Sequence, residues 1–340
     1  MINRRSFLGA AATLPWAQYA VARADVLNDH AGRTIAAPST VQRVFPAGPP
    51  AAILLYTLAP QLLLGWPRAL APDVKAFLLP DVAGRPEVGR LTGRGNTANL
   101  EAVLQAKPDL ILDVGTISDT YTSLADRVQA QTGIPYVLLD GRLEATATAY
   151  RTLGAIVGES ERAERLATYA DNTLDTIRTR LATIPEAQRP RVYFARGSRG
   201  LETGLSGSIN VESLAVMGAR NVAGERKGGL ATVSLEQVLA WNPEVIVTID
   251  QAFSRAVRQD AAWSSVAAVR AGRVHLAPSL PFGWIDFPPS VNRLIGLHWL
   301  GRVLYPDHFK DDIRALAASF YREFYHVDVS ASELDTILAE

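Results

Sequence analysis

The chain alternates short apolar runs with segments of helical periodicity. Residues 109–114 and 135–139 are mostly apolar, and residues 191–195, 245–249 and 274–276 repeat the pattern further along the chain. Continuous apolar strands that alternate with helices are typical of parallel sheets covered on both faces. The pattern therefore predicts an α/β fold with two successive series of strand–helix units.

A long helical segment separates the two series. The pattern changes across residues 145–184, and from residue 166 onward apolar or small side chains recur every three or four positions and would line one helix face. They are Leu166, Tyr169, Thr173, Ile177, Leu181 and Ile184. We therefore expect an N-terminal lobe (25–142), a bridging helix region (143–187) and a C-terminal lobe with terminal helices (188–340).

The two series also contain a repeated unit. Asn99 and Ser234 each precede a short helical segment with a Glu two positions later, and Pro108 and Pro243 follow at the same spacing before a buried strand. Asn and Ser cap helix N-termini, and the residue before proline is extended, so the helix ends there. The repeat indicates two lobes of related architecture.

The amino-acid composition narrows the range of possible functions. The chain has 340 residues, 48% hydrophobic and 20% charged, which suits a globular protein of two domains. Lys plus Arg equal Asp plus Glu, so no concentrated basic surface indicates nucleic-acid binding. The absence of cysteine excludes disulfides, thiolate metal sites and cysteine nucleophiles.

The first 24 residues have the order of an export signal. Arg4 and Arg5 precede Ser6 and Phe7 in a twin-arginine pattern, a modest apolar run follows, and residues 22–24 form an A-x-A cleavage site. An amphipathic N-terminal helix is the alternative interpretation. We expect cleavage after Ala24 and a mature protein in the periplasm.

Several motifs together resemble the class III periplasmic solute-binding proteins, which serve ferric siderophore, vitamin B12 and haem uptake. The resemblance rests on residues 29–33, both repeated units, residues 218–223 and residues 288–294. It implies two Rossmann-like lobes with parallel sheets joined by one long bridging helix, with the ligand in the cleft between them. It also implies a membrane permease and its ATPase as partners, and we expect a monomer.

The family has one transporter-docking glutamate in each lobe, and these match Glu101 and Glu236. The resemblance implies that they meet arginines on the permease. A carboxylate in the first turn of a helix also complements the helix dipole, so both roles remain open.

Ligands of parallel α/β sheets bind beyond the carboxyl ends of the strands. Loops expected there contain Arg90 and Arg94 in one lobe and Arg196 and Arg199 in the other. Arginine binds carboxylates, catecholates and oxyanions bidentately, so these loops predict an anionic ligand, although solvated loop charges are the simpler interpretation. The aromatic segment 281–287 adds Trp284 as a stacking surface.

Metal and catalytic interpretations have less support. No two of the five histidines have i,i+4 spacing, and Tyr121 is the one obvious loop residue for ligating haem. We therefore expect no cofactor and no reaction, and a ferric siderophore or similar anionic metal chelate as ligand. Molybdate or tungstate is the next candidate, then cobalamin or haem; a secreted cofactor-dependent enzyme is the alternative from another class.

Overall fold

The computed structural model describes residues 26–36, 38, 40–93 and 100–338. Within those ranges, no helix is both long and apolar enough to cross a membrane. The predicted export signal lies outside the described residues.

The N-terminal lobe contains a parallel three-stranded sheet in the order β3-β4-β5. A hairpin of three residue pairs, β1 with β2, precedes it and turns at Asp29, whose backbone N–H donates to the Arg33 carbonyl. The strands are β1 (Val26–Asn28), β2 (Thr34–Ala36), β3 (Val44–Pro46), β4 (Leu110–Gly115) and β5 (Tyr136–Asp140). The helices are α1 (Pro49–Leu58), α2 (Pro72–Lys75), α3 (Pro80–Ala83), α4 (Leu100–Ala106) and α5 (Asp119–Thr132).

The C-terminal lobe contains a parallel four-stranded sheet in the order β11-β10-β6-β8 and a small antiparallel pair, β7 with β9. The strands are β6 (Arg191–Ala195), β7 (Glu202–Gly204), β8 (Arg220–Asn221), β9 (Leu230–Thr232), β10 (Val245–Thr248) and β11 (Val274–Leu276). The helices are α8 (Glu212–Val216), α9 (Leu235–Trp241), α10 (Gln251–Ala256), α11 (Ala267–Arg270), α12 (Arg293–Leu304), α13 (Ile313–Phe320) and α14 (Ala331–Ile337), with a π-turn at Tyr321–Tyr325.

Two helices join the lobes. α6 (Thr146–Val157) ends at Gly158, which adopts the left-handed conformation, and α7 (Ser160–Ala182) follows as the bridging helix. The predicted apolar face is confirmed, because Leu166, Ile177 and Leu181 are buried. The predicted single helical segment is therefore two packed helices, of which the longer bridges the sheets.

The repeated unit is present in both lobes. α4 and α9 are seven residues each, and Lys107 and Asn242 end them with positive φ angles. Asp109 then accepts hydrogen bonds from the backbone N–H groups of Gln42 and Arg43 before β3, as Glu244 accepts from Arg191 at β6. An acid after the proline thus ties each helix–strand unit to the neighbouring strand.

A continuous apolar core unites the halves. It contains Leu112 from the first sheet, Ile177 from α7, Phe194 from the second sheet and Leu297 from α12, all 0–1% exposed. Because one core spans both sheets, the lobes are held in a defined orientation. The fold is the predicted α/β arrangement of two lobes with a bridging helix.

Candidate functional site

A cavity of about 270 Å³ lies where the carboxyl edge of the N-terminal sheet faces the C-terminal lobe. Pro49, Arg90 and Gly115 line it from one lobe, and Arg196 and Phe287 line it from the other. This is the edge at which parallel α/β sheets bind ligands. We call it the cleft cavity.

Two helices begin at this edge. Pro49 and Pro50 open α1 after an extended Gly48, and both prolines line the cavity. Thr116 and Ile117 line it just before α5 begins, and Ser118, the N-cap of α5, makes no side-chain capping bond. Because the start of a helix carries partial positive charge, both helices favour a negative ligand in the cavity.

Close packing fixes the loop that contains Arg90. The backbone N–H groups of Leu91 and Thr92 both donate to the Ala47 carbonyl, at 2.8 and 3.0 Å. Gly48 permits this approach, since a Cβ there would come within 2.7 Å of Thr92 Oγ1. The half-buried Arg90 side chain therefore precedes a backbone segment that two hydrogen bonds fix in place.

The floor of the cavity contains a buried acid, Asp113, on β4. Its carboxyl is 5% exposed and accepts hydrogen bonds from Thr92 Oγ1 at 3.0 Å and Tyr136 Oη at 3.1 Å. Burial raises the pKa of the Asp113 carboxyl above its usual value, and the two hydroxyl donors offset part of that rise.

The facing wall is an ion-paired group in the C-terminal lobe. Asp286 is fully buried and accepts from Arg196 Nη1 and, at 2.8 Å, from Asn210 Nδ2. Arg196 also pairs with Glu202 through Nε at 3.1 Å. Burial raises the pKa of Asp286, and the Arg196 charge opposes the rise. The positive charge of Arg196 is therefore shared between two carboxylates.

Phe287 stands at the mouth of the cavity. Its side chain is 55% exposed, and Arg68 lies over its ring at 5.1 Å from the centroid. Its φ angle is +65°, a conformation that is costly for a bulky residue and that tends to occur at functional sites. An exposed aromatic held in this way offers an apolar face to whatever enters.

A larger space of about 820 Å³ opens beside the cleft cavity. We call it the side cavity. It shares Thr116, Ile117 and Ile209 with the cleft cavity, so the two are adjoining parts of one cleft. Arg142 and Asp140 line it as an ion pair, and their contact lowers the pKa of Asp140.

The structure brings together only part of the predicted site. Arg90, Tyr121 and Arg196 line the cleft cavity, although Arg196 is paired with acids. Arg199 is exposed and is not among the lining residues. Arg94 lies outside the described residues.

The prediction for Trp284 is wrong. Its side chain is 0% exposed and belongs to the core. α12 packs directly on the Trp284 backbone through Gly296, where an added Cβ would overlap the Trp284 carbonyl oxygen.

The two predicted docking glutamates are both exposed in the first turns of equivalent helices. Glu101 lies on α4 and Glu236 on α9. Ser234 caps α9 with a reciprocal bond to Gln237, and the pKa of Glu236 is lowered by its own backbone N–H and by Ser234. Both carboxylates are therefore available to a partner.

Sequence reasoning missed Asp113, Asp286 and Phe287. An acid inside an otherwise apolar strand was the available signal for Asp113, since buried carboxyls need partners. No comparable signal marks Phe287 among the aromatic residues of its segment.

Comparison with known proteins agrees with this architecture. The model of the periplasmic binding protein family matches residues 72–280, more than half of the chain. A solute-binding protein of an ABC transporter from Sulfurospirillum deleyianum superposes with a TM-score of 0.85 at 30% identity, covering 93% of this chain and 99% of that one.

Other relatives differ in what they bind. The molybdate-binding protein MolA of Haemophilus influenzae is 26% identical over 281 residues, 75% of this chain and 74% of that protein. A vitamin B12-binding protein of Pectobacterium carotovorum is 30% identical over 152 residues, 44% of this chain and 53% of that protein. The chain therefore belongs to the periplasmic binding protein family, as a class III substrate-binding protein of an ABC transporter.

Proposed function

We propose that this protein captures a compact oxyanion of the molybdate or tungstate type and delivers it to an ABC importer. The observation that carries the proposal is the cleft cavity, about 270 Å³ and bordered by Arg90 and two helix N-termini. Pockets for drug-sized ligands are typically about 300–1,000 Å³, and the cleft cavity, taken without the adjoining side cavity, lies just below that range.

The donors around the cavity suit oxygen-rich anions. A guanidinium presents paired N–H groups that match two oxygens of one ligand, and the starts of α1 and α5 add positive potential. Arg196 and Asn210 supply further N–H groups from the opposite lobe, although some of them are bonded to Asp286. A compact anion could contact both lobes at once.

The similarity to MolA supports the same ligand class. That relative is named for molybdate, and a molybdate-bound structure of MolA covers 90% of this chain with a TM-score of 0.75 at 22% identity. The fold comparison alone does not assign a ligand, so the proposal depends on the cavity.

Calorimetric titration of the purified protein tests the proposal. Molybdate and tungstate should bind, whereas a ferric catecholate, haem and cobalamin should not. Arg90→Ala should weaken oxyanion binding by about tenfold to a hundredfold, the value of one charge-assisted hydrogen bond. Arg178→Ala, at an exposed ion pair on α7, is the matched control and should bind as wild type. Binding of haem or cobalamin in place of the oxyanions would contradict the proposal.

A ferric siderophore or similar anionic metal chelate is the second candidate, favoured by the continuity of the cleft and side cavities through Thr116, Ile117 and Ile209. A chelate would need both spaces. Ala215 is exposed and lines only the side cavity, so Ala215→Trp should block a chelate and leave oxyanion binding unchanged. This variant separates the two ligands in one titration.

We further propose that the protein acts in the periplasm after removal of its export signal and releases its ligand unchanged. Glu101 and Glu236 would contact the permease, one in each lobe. Membership of a family of substrate-binding proteins supports this role.

A further inference from the structure

The cleft cavity is lined by equal numbers of basic and acidic residues. Its charged side chains are Arg90, Arg196, Asp113 and Asp286. Arg196 pairs with Asp286, and Arg90 and Asp113 are the other two charged residues of the lining. An ionised Asp113 would therefore oppose the binding of any anion, and the proposed ligand needs that charge removed.

The surroundings of Asp113 accept a neutral carboxyl without rearrangement. Its side-chain partners are hydroxyl donors, Thr92 on one carboxyl oxygen and Tyr136 on the other, and the backbone N–H of Val114 also donates to the carboxyl. A protonated carboxyl keeps acceptor capacity on both oxygens and gains one O–H donor. Both hydroxyl bonds can therefore persist while the new O–H points toward a ligand in the cavity.

No basic side chain among the described residues forms an ion pair with Asp113. This differs from Asp140 on the next strand, which Arg142 contacts through two nitrogens. Burial accordingly raises the pKa of Asp113, whereas the Arg142 contact lowers that of Asp140. The titratable and charged groups around Asp113 are Arg90 on the adjoining loop, Tyr136 on β5 with Arg33 behind it, Tyr121 on α5, and Arg196 and Asp286 across the cavity.

We propose that Asp113 meets the bound anion as a neutral carboxylic acid whose O–H donates a hydrogen bond to a ligand oxygen, so that anion binding takes up one proton. This role rests on the proposed function, and it makes the affinity for the anion depend on pH through Asp113. The proton comes from solvent and bonds to the carboxylate, and no other bond is made or broken. Because the complex holds more protons than the free protein, affinity increases as pH falls, by at most about tenfold per pH unit.

Titration calorimetry with molybdate tests this between about pH 8 and about pH 6, where molybdate keeps its charge. Wild type should take up protons in buffers of different ionisation enthalpy and bind more tightly at the lower pH. Asp113→Asn, a neutral donor of similar shape, should bind at least as tightly as wild type near pH 8 and lose the pH dependence. Asp140→Asn is the matched control and should keep the wild-type slope.

Tyr136→Phe provides a second variant. It removes one donor that stabilises the carboxylate, so the pH dependence should move to higher pH while binding is retained. Thermal melting of each variant confirms folding.

The possible failures can be told apart. If wild type binds molybdate with no proton uptake, or if Asp113→Asn keeps the slope or loses binding at every pH, the role of Asp113 is wrong and the proposed function stands. If wild type binds no oxyanion at any pH, the proposed function is wrong and this inference with it.

Discussion

Glu212 and Arg293 join the two lobes through a buried ion pair, and removing its charge gives a direct test of the fold. Arg293 is 1% exposed at the start of α12, and its Nη1 lies 2.7 Å from Glu212 Oε2. Arg293 also donates to the Gly141 carbonyl, and Glu212 accepts from the Leu143 N–H at 3.0 Å. Gly141, which accepts from Arg293, and Leu143, which donates to Glu212, both follow β5 of the N-terminal lobe. The pair therefore fixes one lobe against the other.

Glu212→Gln keeps the shape of the side chain and removes its charge. The guanidinium of Arg293 would remain buried with no adjacent carboxylate, and burial already lowers its pKa against the opposing effect of Glu212. Breaking a buried ion pair by removing one partner costs about 3–5 kcal/mol. Because Glu212 is 17% exposed, water can compensate in part, so we expect a loss near the lower end, about 3 kcal/mol.

Urea unfolding measures this loss. Circular dichroism and tryptophan fluorescence follow the transition, and the largest apolar cluster of the described residues contacts both sheets. Glu161→Gln is the control, because it makes the same change at an exposed i,i+4 pair with Arg165 on α7 and should leave the midpoint near that of wild type. Glu212→Ala should be less stable than Glu212→Gln because the Leu143 N–H also loses its acceptor. Equal midpoints for Glu212→Gln and Glu161→Gln would refute the reasoning.

Three further predictions concern binding, docking and export. Phe287→Ala should weaken molybdate binding because it removes the exposed ring at the cavity mouth, and an unchanged calorimetric affinity would exclude a ligand contact. Glu101→Ala combined with Glu236→Ala should abolish uptake in cells and leave the affinity of the purified protein unchanged, and normal uptake would leave only a structural role. Arg4→Lys combined with Arg5→Lys should block export, measured by cell fractionation, and unchanged export would rule out the twin-arginine pathway.

The elements of regular structure could be predicted because their signals are local. The apolar run before Gly115 is β4, and the runs at 191–195 and 274–276 are β6 and β11 with the predicted bounds. Ser234 caps α9 as its position before an apolar helical segment predicts. These assignments need only propensity, periodicity and capping within about ten residues.

The boundary between α6 and α7 could not be predicted from the sequence pattern. Apolar side chains recur at helical spacing on both sides of Gly158, so one segment was expected, whereas a left-handed glycine separates α6 from α7. Ser160 and Gly158 are compatible with a break, but periodicity alone does not distinguish a break from a continuous helix.

The site depends on contacts between distant residues. Arg196 and Arg199 are three positions apart in one turn, yet Asp286, ninety positions away, pairs with the first and leaves the second exposed. Trp284 and Phe287 are equally close, but α12 covers the first and the left-handed backbone of the second turns it outward. Irregular, proline-rich segments have no period from which the buried side can be read.

The sequence by itself therefore determined the α/β class, the two lobes, the bridging helix and the equivalent first-turn positions of Glu101 and Glu236, because each follows from short-range pattern. Only the tertiary structure decided which arginine and which aromatic face the cleft, and that Asp113 lies on its floor between two hydroxyl donors. The physical reason is that burial, charge pairing and pKa are set by groups brought together from both lobes, and those distances exist only after the core has formed.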